Sequence, residues 1–151
     1  MKQYTEKIGD SLNEILVKNI DAQNGFQRAI DHTDNKALIH YFRNLSRERK
    51  EFISELQDEL VLYGEKFKFS GTISEDIHMG WIDFKSLFTK FKEEAMLEEA
   101  IRGEKAALEE YNEALKSDIF PASTATILRS QRDRIQAGIN KIRSIKDFAL
   151  S

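Results

Sequence analysis

Residues 8–29 read IGDSLNEILVKNIDAQNGFQRA, with Ile8, Leu12, Ile15, Ala22, Phe26 and Ala29 at steps of three, four or seven. At 3.6 residues per turn these positions form one narrow stripe on an α-helix, the spacing of a helix-bundle seam. The pattern returns 85 residues later: Leu12 falls on Leu97, Leu16 on Ile101, Ala22 on Ala107, Phe26 on Tyr111, Ala29 on Ala114 and Ile30 on Leu115. Any two amphipathic helices share part of such a match, yet the run reads as one helix and its diverged copy. No single offset relates the segments that follow each of them.

Working outward, a first helix is predicted over residues 5–33. Asp34 and Asn35 break it and can cap a second over 35–63, whose inward face is Leu38, Phe42, Leu45, Phe52, Leu56 and Tyr63. Gly64 stands where a helix-ending C′ glycine belongs. A long connector follows. Within it Thr72 and Glu75 form a capping box for a short helix over 76–88, with His78 and Trp81 as packing anchors. Such an aromatic-rich segment is expected to lid one end of a bundle. Residues 92–117 form the third long helix, with Leu97, Ala100, Ile101, Leu108, Tyr111 and Leu115 inward. After a turn containing Pro121, Ser123 or Thr124 can cap the fourth, over 123–149, with Leu128, Ile135, Gly138, Ile142 and Ile145 inward. Short links within each pair and a long one between them describe two helical hairpins closing into one all-α, antiparallel four-helix bundle.

Composition agrees. The 151 residues suit one domain, and 40% hydrophobic with 32% charged residues is the balance of a folded, well-solvated chain. One proline and seven glycines are too few for a many-turned β fold. No cysteine is present, which excludes disulfides and thiolate-bound metal. The opening residues, MKQYTEKIGDSLNEIL, lack the apolar core of a signal peptide, and no stretch approaches the ~20 apolar residues that span a bilayer, so the cytoplasm is expected. A net charge of −3 gives no general pull toward nucleic acid. The charge is uneven, however: residues 93–118 hold nine acids and three bases, and 122–151 hold six bases and two acids. Pairing between neighbouring helices is the plain reading. A basic surface on the fourth helix, with Arg129, Arg132 and Arg143, is the other.

Several stretches carry a family resemblance: DAQNGF (21–26) with Ala29; LSRER (45–49) through Phe52, Glu55 and Leu56; GTI (71–73) followed by HMGWIDFK (78–85); and RGE (102–104) followed by Tyr111. Over essentially its full length the chain resembles an uncharacterised bacterial four-helix-bundle family of the ferritin-like superfamily, a domain of unknown function. The resemblance implies a ferritin-like fold and little chemistry. Members often carry a histidine in the second half of the fourth helix, where this chain has Ile139.

A di-iron carboxylate bundle takes one Glu from each of two helices and a Glu-x-x-His from each of the other two. Such hard cations want several carboxylate oxygens, and a His at i+3 shares the face of its Glu. The inward, mid-helix positions here are Asn19, Arg49, Glu104 and Gln131, with Arg134 on the flank. Glu48 lies roughly 80° off the second helix's seam. His32 and His40 fall at helix ends and His78 in the connector. The expectation is therefore a metal-free central polar layer, Arg49 pairing with Glu104 and the two amides satisfying what remains, and no cofactor. The alternative is an iron or manganese site built on Glu104 and Glu48.

Function is expected to be non-catalytic, in binding or assembly, with a stress-related role resting on superfamily analogy alone. An iron- or manganese-binding oxidase or storage protein is the second reading, and an adaptor docking through the basic fourth helix the third. A homo-oligomer is a further expectation, with Phe67 and Phe69 as candidate contact residues.

Overall fold

The computed structural model describes residues 3–67 and 92–149, which form four α-helices: α1 Tyr4–Asp31, α2 Lys36–Leu62, α3 Lys92–Lys116 and α4 Ala122–Ala149. The expected short helix over 76–88, its anchors His78 and Trp81, and Phe69 lie outside the described residues. No described helix is long and apolar enough to cross a membrane.

The helix ends follow local chemistry. α1 stops at Asp31 because His32 leaves helical geometry and the Thr33 hydroxyl accepts from the Asn35 amide, 3.1 Å. Asn35 then caps α2, its Oδ1 accepting from the amides of Ala37 and Leu38. At the far end Gly64 takes a φ of +70° and donates to the Val61 carbonyl, while Glu65 donates to that of Leu60. That bond pair is a Schellman motif, and the left-handed conformation is one that glycine adopts without strain. Asp118 ends α3 in the same region, at φ 55°. The fourth helix corrects the capping expectation. It begins at Ala122, and the Pro121 carbonyl accepts its first bond, from Ala125 at 2.9 Å. Ser123 and Thr124 sit inside the first turn, and the Thr124 hydroxyl donates to Glu59 Oε1 at 2.7 Å instead.

Side-chain bonds between helices fix the topology. Gln27 reaches Ser46, so α1 and α2 are antiparallel. Thr33 meets Glu93 at one end of the bundle and Tyr4 meets the Ile119 carbonyl at the other, so α1 and α3 are antiparallel as well. Tyr41 to Gly138 and Glu59 to Thr124 set α2 against α4 in the same way. Every adjacent pair is antiparallel, and α2 and α3 run parallel across the diagonal. The end of α2 and the start of α3 therefore lie at opposite ends of the bundle, some 40 Å apart at ~1.5 Å per residue. This is why the connector is long. Phe67, a candidate contact residue between copies, is half-buried against the core of its own bundle.

The core divides in two. Ile8, Leu12, Ile15, Phe52, Leu56, Leu60, Tyr111 and Leu128 cluster toward the end where α2 finishes. Ala22, Phe26, Ala29, Leu38, Phe42, Met96, Leu97 and Ile142 cluster toward the other. Polar side chains occupy the joint.

Candidate functional site

Seam geometry turns Arg49 of α2 and Glu104 of α3 toward each other across the diagonal. Arg49 Nη1 donates to Glu104 Oε1 at 2.7 Å, with both side chains 2% exposed. The guanidinium lies between two rings, its carbon 5.9 Å from the centroid of Phe26 and 5.8 Å from that of Phe52. One ring belongs to each core cluster, so the cation is held by the apolar residues on either side of the joint. Burial pushes the Glu104 carboxyl above the usual carboxylate range; Arg49 pulls the other way without cancelling it, and Glu48 adds to the rise.

Asn19 and Gln131 are also fully buried, but they do not complete this pair. Asn19 Nδ2 donates to the Tyr111 hydroxyl and to the Ile15 carbonyl, each at 2.9 Å. Tyr111 donates onward to Gln131 Oε1 at 2.6 Å, and Gln131 Nε2 donates to Glu55 Oε1 at 3.1 Å. The expected single layer is therefore two groups. Arg49–Glu104 is one. Asn19–Tyr111–Gln131–Glu55 is the other, offset toward the end where α2 finishes, because Glu55 lies six residues, ~9 Å, beyond Arg49. Within the described residues, Arg49 Nε and Nη2 and Asn19 Oδ1 make no hydrogen bond. Burial raises the Tyr111 phenol well above its ordinary value, so its proton stays in place as the donor to Gln131.

Arg134 is a correction: it stands outside the buried groups, 45% exposed. It pairs with Glu48 at 3.1 Å and Glu51 at 3.7 Å and stacks 4.8 Å over Phe52. These pairs run from α4 to α2. Arg129 and Arg143 are exposed on the outer face of α4.

Periodicity missed the Tyr111 hydroxyl, Glu55 and a buried acid near the bundle end, Glu59, which is satisfied by Thr124. A tyrosine at a seam position reads as another core ring, and nothing local separates it from its repeat partner Phe26.

The donor set can be compared with what a dinuclear iron centre requires. Glu104 is engaged by Arg49, and Glu48, 28% exposed, by Arg134. His32 Nδ1 donates to the Arg28 carbonyl and His40 pairs with Asn44. Among the described residues no three His, Cys, Asp or Glu side chains come together as ligands. These residues do not fit such a centre, which needs four carboxylates and two imidazoles.

A family model described as Domain of unknown function (DUF2383) matches residues 7–117. None of the curated proteins matches the chain. Among solved structures, that of a mutant of Mycobacterium smegmatis Dps1 is similar, with a TM-score of 0.80 and 10% identity over 95% of this chain and 97% of that one. At so low an identity the likeness speaks for the fold, a ferritin-like four-helix bundle.

Proposed function

The chain belongs to this DUF2383 family, a domain of unknown function, and from that premise we propose that it is a non-catalytic ferritin-like bundle acting through binding or assembly, its centre closed by an internal cation. The observation that carries the reading is the 2.7 Å contact between Arg49 and Glu104 at the joint of the two core clusters. A bound metal would neutralise carboxylates converging from several helices. Here one carboxylate meets one guanidinium, which is planar, always charged and suited to pairing where water is excluded. With Phe26 and Phe52 against its faces, Arg49 fills the position and supplies the charge. No hydrolytic or redox role is assigned to Tyr111, whose hydroxyl serves the amides of Asn19 and Gln131.

The competing reading is an iron- or manganese-binding oxidase or storage protein, and metal analysis separates the two. Protein purified after growth with added iron and manganese is expected to hold far less than one metal ion per chain by elemental analysis. Ferrous iron added in air should oxidise no faster than in buffer. Two irons per chain, or a rapid absorbance rise on adding ferrous iron, would overturn the proposal.

A further inference from the structure

α2 and α4 meet least closely of the adjacent helix pairs, and a cleft of about 280 Å³ opens between them. We propose that this cleft is a binding site for a small, flat monocarboxylate. Tyr41, Asn44, Leu45 and Glu48 form the α2 wall. Tyr41 is fixed in place because its hydroxyl donates to the Gly138 carbonyl on the opposite helix at 3.1 Å. On the α4 side Gly138 leaves room: a Cβ there would touch only Leu45 Cδ2, at 3.7 Å. Packing within the fold therefore does not require glycine at this position, although a mid-helix glycine costs the helix stability.

Charge sets the ligand class. Arg134 at one end of the cleft is already answered by Glu48 and Glu51. Lys141 at the other end lies 5.4 Å over the Tyr41 ring and meets no carboxylate among the described residues. The charged side chains that line the cleft, Glu48, Arg134 and Lys141, sum to one positive charge, and the Lys141 ammonium beside Tyr41 and Leu45 suits one carboxylate on an apolar body. The volume lies just below the roughly 300–1,000 Å³ of ordinary ligand pockets and limits the ligand to something small. This site gives the binding role proposed above a location. It is independent of the metal question, so either test can fail without deciding the other.

Benzoate and its uncharged counterpart benzamide, titrated into ¹⁵N-labelled full-length protein, test the site. Benzoate is expected to shift the amides around Tyr41 and Gly138 and to saturate in the millimolar range. Benzamide should bind roughly fivefold more weakly, the upper end for one solvent-exposed ion pair, and Lys141→Glu should weaken benzoate by at least as much. Gly138→Leu should fill the cleft and abolish the shifts while its melting temperature stays at or above that of the wild type. Equal binding of benzoate and benzamide overturns the ligand class. Unchanged binding to Gly138→Leu overturns the location, and no shift at tens of millimolar benzoate overturns the site.

Discussion

Arg49 heads the fully buried side chains by size, and a guanidinium taken out of water loses solvation that one hydrogen-bonded carboxylate only partly replaces. Two aromatic faces add to it, and the whole arrangement depends on both partners being present. Arg49→Met leaves Glu104 buried without its cation and should destabilise the protein by about 3–5 kcal/mol. Adding Glu104→Leu removes the stranded charge and should recover most of that loss, because a buried pair replaced by apolar side chains of similar volume is often neutral or stabilising. Urea unfolding of the wild type, both single variants and the double variant measures the coupling. A double variant as unstable as the sum of the singles would show that the two residues act independently, against the contact described. Both positions could be read in advance, because a charged residue on an otherwise apolar seam stands out at a spacing of 3.6. What could not be read was the partner of each amide. Asn19 turns to Tyr111 because the phenol, seven residues past Glu104, reaches back along α3, a consequence of side-chain direction in three dimensions. Arg134 has the opposite history. It lies near the seam in angle, yet its long stem carries the charge outward over Phe52 to Glu48.

At the scale of the helix, α2 is held at its two ends by two local devices, and neither depends on the core. Asn35 supplies a side-chain acceptor to two amides that no carbonyl can reach, and Gly64 takes the left-handed turn that satisfies two terminal carbonyls. Asn35→Ala should cost about 1 kcal/mol by leaving those amides to water. Gly64→Ala should cost a similar ~1 kcal/mol from backbone strain alone, since a Cβ there meets nothing within 4 Å. The two sites lie a full helix apart, so the double variant should lose about 2 kcal/mol, the sum within a few tenths. Thermal unfolding followed by circular dichroism reads all three; a clearly non-additive double variant would mean that the end devices communicate through the core. Both devices were legible because their signals are local. The start of α4 was not, for the opposite reason: Ser123 and Thr124 look like caps, but the Thr124 hydroxyl is committed to Glu59 of another helix, and no local rule reports a partner 65 residues away.

Over the whole molecule, the internal repeat acquires a geometric meaning. Asn19 and Glu104 are equivalent under the 85-residue shift, as are Phe26 and Tyr111. Because α1 and α3 run in opposite directions, the two aromatics fall on opposite sides of the joint, one in each core cluster. The repeat itself was visible in the apolar pattern; the antiparallel relation of its copies was not, since periodicity carries no direction. That relation forces α2 and α3 to run parallel, and it places a length requirement on residues 68–91. The chain has already turned back by Lys66, whose carbonyl accepts from Asn13, while Lys92 begins near the level of Thr33. Those levels are twenty residues of α1 apart, or ~30 Å. A four-residue Gly/Ser link in place of 68–91 reaches only ~18 Å when fully extended, so it should not permit a monomeric bundle. A twelve-residue link reaches ~45 Å and should. The short variant is expected either to exchange hairpins between two chains or to lose helix, and the long one to remain folded. Light-scattering mass with far-ultraviolet circular dichroism distinguishes these outcomes. A short-link variant that stays monomeric with full helix content would mean that α2 and α3 can run antiparallel as neighbours, and the diagonal contact between Arg49 and Glu104 would then have to be abandoned.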